Sequence, residues 1–197
     1  MKNKLNLLQT LGFLLMLLSL CLLLGRELLG VYSRRQAEMT AGQIEAILPE
    51  RTAGSPEDYT NPDMPVFQLD GRDFSALIRV PAFGVHLPVC NDWETGPFLA
   101  YPRRFWGSVY DNSLVIGGSD RNGQFDFCKR LDIGDEITIT DMVGGQFSYE
   151  VARIERHANA DSQKLLEPSW DLTLFARDSS SLNYIFVRCL FSPQGRI

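Results

Sequence analysis

An all-β domain held behind an N-terminal membrane helix is the architecture this sequence predicts, and three observations carry it. Residues 5–25 contain no charged side chain and are dominated by leucine. From Ala76 to Phe191, short apolar or alternating segments recur between Gly- and Pro-bearing turns, the pattern of a barrel or sandwich. Between the two lies Thr52 to Pro65, polar, proline-rich and poor in core formers, as a linker is.

The elements follow in chain order. The run from Leu5 to Gly25 matches the ~20 residues a helix needs to span the hydrocarbon core. A secretory signal peptide is the competing reading, but Gly25-Arg26-Glu27 follows the run instead of an Ala-x-Ala cleavage site, so the helix is expected to stay as an anchor. Lys2 and Lys4 precede the span while Arg26, Arg34 and Arg35 follow it, and charge alone barely orients it. Glu27 to Leu48 continues as a loosely amphipathic helix weakened by Gly42 and ended by Pro49. It reads as a stalk. The expected organisation is a cytoplasmic N-terminus at 1–4, an anchor at 5–25, a helical stalk and linker at 26–65, and a β domain at 66–197.

Within that domain, Ala76 to Val80 is a short strand stopped by Pro81, pairing across Phe83-Gly84 with Val85 to Val89. Ser113 to Ile116 is a buried strand that breaks at Gly117-Gly118. Glu136 to Thr140 sets Ile137 and Ile139 against Thr138 and Thr140, and the turn Asp141 to Gly145 leads into Phe147 to Ile154, again with period two. Asp171 to Phe175 and Tyr184 to Phe191 complete the set.

The chain has 197 residues, 45% hydrophobic and 22% charged, enough for one domain with a sizeable core. A net charge of −5 and a pI near 5.1 exclude a nucleic-acid partner, which requires a basic face. No repeat or low-complexity tract is present.

Thr173-Leu174-Phe175-Ala176-Arg177, followed by the apolar strand that contains Val187-Arg188-Cys189, resembles the active-site strand of the sortases, the cysteine transpeptidases of Gram-positive cell surfaces. In that family the pattern is Thr-Leu-x-Thr-Cys. Leu114 to Gly118 resembles the strand that in sortases ends Ala-Gly-His. Phe125 to Leu131 followed by Gly134-Asp135-Glu136 resembles the short helix and the entry to the next strand, and Leu87-Pro88-Val89 and Phe147 to Ile154 match two further strands. The resemblance covers roughly residues 75–191 and is closest to class B-like or D-like members. It implies an eight-stranded β-barrel with short helices, a membrane-anchored domain outside the cell, and peptide, surface-protein or pilin partners.

Sortases use a Cys to attack the peptide carbonyl, a His as acid–base group and an Arg for the oxyanion. Carried over by position, the His falls on Ser119, the Cys on Arg177 and the Arg on Tyr184, or on Asn183 with a slip of one residue. Serine does not titrate near neutrality, and a guanidinium has no lone pair for attack. The resemblance therefore implies a pseudoenzyme acting as a binding or accessory module. Its partner would be a sorting-signal-like peptide, a surface protein or an active sortase. The expected groove residues are Asp120, Arg177 and Tyr184, with Arg177 clasped to Asp120 or Ser119 and Asp178 as a competing counter-ion.

Cys21 lies in the span; Cys128 and Cys189 read as small buried hydrophobes, and Cys90 is the one alternative nucleophile for an active enzyme. Three cysteines beyond the membrane leave the disulfide pattern open. His86 falls in a strand and His157 in a loop. Ser119 lacks the second glycine of a Gly-x-Ser-x-Gly elbow. No Cys/His set has zinc spacing, and Asp132, Asp135 and Glu136 read as a solvated turn, so no metal or cofactor is expected. Trp93, Phe98, Tyr101, Phe105, Trp106 and Tyr110 read mostly as core. For the interleaved Arg103 and Arg104 two readings stand open: solvated charges, or a site for a peptide carboxylate or wall polymer.

Overall fold

A computed structural model describes residues 2–50, 52–93, 101–120, 124–181 and 183–193; the side chains of 2–9, 23, 26, 27 and 29 lie outside that description. Helix α1 runs from Lys2–Ile47. The strands are β1 (Thr52–Ala53), β2 (Phe67–Leu69), β3 (Arg72–Val80), β4 (Val85–Cys90), β5 (Arg103–Trp106), β6 (Leu114–Ser119), β7 (Glu136–Asp141), β8 (Gly145–His157), β9 (Leu172–Arg177) and β10 (Tyr184–Phe191). A short helix α2 (Ser162–Leu165) precedes β9, and a 3₁₀ turn spans Asp126–Lys129.

Eight strands close on themselves in the order β3-β4-β5-β6-β9-β10-β8-β7, with β7 pairing back to β3, while β1 and β2 flank the ring. Closure removes the exposed sheet edge that an open sheet would present. Because side chains alternate across a strand, each strand contributes one set to the interior. Leu114 and Ile116, Leu172, Leu174 and Ala176, and Ile185, Val187 and Cys189 join one core with Ile78, Leu87, Ile139 and Tyr149.

The seven strands expected from alternation are present, most of them a residue or more longer than their sequence patterns. The unexpected one is β5. Arg103-Arg104-Phe105-Trp106 has no period-two pattern, and its pairing to β6 shifts register between Arg104 and Trp106.

The stalk and linker differ from expectation. The end of α1 packs on the barrel: Ala37, Ala41 and Ile44 are fully buried and belong to the main core. Their i, i+4, i+7 spacing forms one stripe, and two alanines let the helix approach closely. Arg79 on β3 donates to Glu45 at 2.8 Å, and the Thr40 hydroxyl meets the Tyr101 hydroxyl at 3.2 Å. The 52–65 segment is a strap rather than a free linker. Its strand β1 pairs in parallel with β8, Pro56 and Met64 are buried, and Tyr59 stacks on Tyr110 at 3.9 Å. Tyr110 in turn donates to Asp141 at 2.7 Å.

Among the described residues no helix is long and apolar enough to cross a membrane. The span expected at 5–25 falls partly on residues whose side chains lie outside the description; within it, Leu14, Met16 and Leu22 are exposed.

Candidate functional site

Strand register places the three positions carried over by the sequence resemblance in one row. Ser119 on β6 is the partner of Arg177 on the parallel strand β9, and Arg177 is the partner of Tyr184 on the antiparallel strand β10. His157, at the end of β8, is the partner of Tyr184 and extends the row across a fourth strand. The alternation that sends Ala176 inward sends Arg177 to the outer face, above Phe175 and Thr173. His157 is three strand spacings from Ser119, roughly 14 Å, so it is out of hydrogen-bond reach.

The expected clasp does not form. Arg177 is exposed and, among the described residues, makes no ion pair. Lys129, from the 3₁₀ turn, takes its place and reaches Asp120 at 2.7 Å and Asp178 at 2.9 Å. Asp120 also accepts from the Ser179 backbone N–H and hydroxyl, both at 2.7 Å. Asp178 accepts from Ser180 and Ser181. The physical reason is positional: Lys129 sits between the two carboxylates, whereas Arg177 ends on the outer face, where leaving it in water avoids the desolvation of a buried ion pair. Burial pushes the Asp120 carboxyl up, but the hydrogen bonds from Lys129 and Ser179 outweigh it and hold the group below its ordinary value. Hydrogen bonds from Ser180, Ser181 and Lys129 hold Asp178 lower still.

Below the row the face is covered by the protein's own rings. Trp93, Phe105, Phe175 and Phe186 form a second apolar cluster with Val115 and Leu165. Trp93 meets Phe105 edge-on at 4.7 Å, and both lie 5.6 Å from Phe175. Gly117 makes this possible: a Cβ there would come within 2.6 Å of Phe175 and 2.7 Å of Trp93.

Beside this cluster Arg188, fully buried, is held by Glu155 at 3.2 Å, the Thr173 hydroxyl at 2.9 Å and the Lys164 carbonyl at 2.6 Å. His157 is not a free loop residue. It meets Glu155 at 3.2 Å and packs on Phe186 at 4.7 Å.

The thiols are elsewhere. Cys90, Cys128 and Cys189 are buried in the main core, on the side of the wall away from the row, and none is in a disulfide. Burial pushes the Cys90 thiol up to about 11, with the Arg103 charge acting the other way. Burial also raises Cys128 and Cys189. A thiol held protonated is a poor nucleophile.

The remaining candidates are distributed as follows. Tyr101 and Tyr110 are core; Trp106 is exposed; Phe98 lies outside the described residues. Neither arginine of the pair is freely solvated. Arg103 is buried and donates to the Asp92 carbonyl at 2.7 Å, and Arg104 is half-buried. Asp135 accepts from the Asp132 N–H at 2.8 Å, closing their turn. No set of three or more metal-ligating side chains comes together among the described residues. Lys129 and the ring cluster were not singled out from sequence; the one available signal was the density of aromatic residues between Trp93 and Tyr110.

No family model matches the chain, and no curated protein matches it. Solved structures do. Sortase A from Corynebacterium diphtheriae is 20% identical with a TM-score of 0.56, covering 87% of this chain and 86% of that one. Sortase C-1 from Actinomyces oris is 18% identical with a TM-score of 0.56, covering 81% and 99%. The sortase D5 transpeptidase of Clostridium perfringens is 20% identical with a TM-score of 0.52, covering 66% and 82%. The ring of eight strands and these likenesses together identify a sortase-fold protein.

Proposed function

We propose that this chain is a membrane-anchored, non-catalytic sortase-fold module at a Gram-positive cell surface. It engages a sorting-signal-like peptide, a surface or pilin protein, or an active sortase, without cutting it. One observation carries the reading: the row where strands β6, β9 and β10 meet presents Ser119, Arg177 and Tyr184, with no thiol beside an acid–base group among the described residues. Covalent acyl transfer requires a nucleophile activated by such a neighbour. Residues 5–25 supply the anchor, and the resemblance orients the barrel to the outside. The competing enzyme reading through Cys90 is disfavoured by that residue's burial in the core and its raised pKa.

The test is reversible binding. Full-length protein in lipid nanodiscs is titrated against fluorescently labelled peptides from surface proteins, and the peptide is recovered and weighed afterwards. Saturable binding with intact peptide supports the module; peptide shortened in proportion to protein overturns it.

A further inference from the structure

A cleft of about 600 Å³ opens between the 62–64 strap and the turn after β5, and none of Ser119, Arg177 and Tyr184 lines it. It exists because the strap packs on the barrel. Trp106 stands at its edge, 58% exposed, and Trp93 and Phe105 supply further ring surface. Arg104 forms part of the lining. It donates from Nε to the Gly107 carbonyl at 2.7 Å and from Nη1 to Asn91 Oδ1 at 3.1 Å, which fixes the guanidinium plane and leaves Nη2 with no hydrogen bond among the described residues. Asp63 and Asp111 also line the cleft, close enough to act on the Arg104 charge.

These groups select a chemical class. Two carboxylates against one guanidinium leave no cationic excess, so an anionic ligand gains nothing. A purely apolar ligand would strip water from Arg104, Asn91 and Asp63 without replacing their hydrogen bonds. What remains is a ligand that offers both donors and acceptors on its edges and an apolar C–H face to a ring. A pyranose has that shape. The volume falls within the ~300–1,000 Å³ of small-ligand sites, suited to a short run of sugar rings and too small for a protein surface.

We propose that this cleft binds a neutral carbohydrate chain, with one sugar ring stacked on Trp106 and its hydroxyls shared among Arg104, Asn91 and Asp63. The site is independent of the non-catalytic reading. It would hold the barrel to a glycan whether or not the β6-β9-β10 row performs chemistry.

The experiment uses full-length protein in lipid nanodiscs, free of sugar-based detergent. A tetrasaccharide of β-1,4-linked N-acetylglucosamine and maltotetraose are titrated at millimolar concentration, with an acidic tetrapeptide as the comparison ligand, read by calorimetry and tryptophan fluorescence. Saturable binding of a saccharide is expected. Trp106→Ala should weaken it about tenfold and Trp106→Phe less, while Asp63→Ala, at an exposed position, should weaken it with unchanged thermal unfolding. No binding of either saccharide, equal binding by Trp106→Ala and the parent, or tight binding of the acidic peptide in place of the saccharides would each overturn the proposal.

Discussion

Trp93 and Phe175 meet over Gly117, their ring centroids 5.6 Å apart and both rings inside the space that a side chain at Gly117 would need. Gly117→Ala should therefore force at least one ring aside. Overpacking of this kind costs about 1–3 kcal/mol, read as a lower urea midpoint, with a shift in tryptophan emission. A variant with unchanged midpoint and emission would show that the rings do not cover the face as described.

The Lys129 clasp makes an acid-stability prediction. Asp120 and Asp178 both titrate lower in the folded state than in the unfolded chain, so folding releases protons. Their contribution is fully present above the unfolded carboxyl value of about 4 and is lost as pH falls through the folded values. The urea midpoint should fall steadily below about pH 4, and Lys129→Met should flatten part of that fall. An identical acid slope in the variant would contradict the clasp.

Thiol chemistry gives a third expectation. At about pH 8 a free thiol is substantially reactive, yet Cys90, Cys128 and Cys189 are buried with raised pKa values. Native protein should leave all three unalkylated by iodoacetamide, and denatured protein should react at all three. Fast labelling of Cys90 alone, measured by peptide mass, would reopen the enzyme reading.

Arg188 is the fully buried cation behind the ring cluster, paired with Glu155. Burial pushes the Glu155 carboxyl up, but its bonds to His157 and Arg188 prevail and hold it low. Arg188→Met removes the buried partner, leaves Glu155 to Arg153 and His157 and takes the donor from the Thr173 hydroxyl and Lys164 carbonyl; removing one partner of a buried pair costs about 3–5 kcal/mol. A urea-unfolding loss well under that range would mean Glu155 finds compensation from Arg153 or His157.

What was legible in the sequence follows from periodicity. The strands with clean alternation, such as Phe147 to Ile154, were readable because one face of each is buried. Strand β5 was not, because Arg103 is buried and Trp106 exposed, the reverse of what residue type suggests, and a register shift interrupts the pattern. The docking of α1 rests on Ala37, Ala41 and Ile44, a stripe too small in side-chain volume to stand out beside the leucine-rich run of residues 5–25. The pairing of Ser119 with Arg177 was legible through the family resemblance, which sets their two strands side by side. The counter-ion was not: Asp120 was recognised as an anion, but its partner Lys129 comes from a turn whose approach depends on tertiary packing.

The most direct test of the account asks whether any side chain of this protein forms an acyl bond. Full-length protein in nanodiscs is incubated with sorting-signal peptides and hydroxylamine is withheld, so that a thioester would accumulate and appear in the intact mass. Because the proposed reading puts Arg177 where a sortase nucleophile would stand, and every described barrel thiol is buried in the core, the account predicts an unchanged protein mass and intact peptide. A mass increase equal to the acyl fragment, mapped to any cysteine, would contradict it.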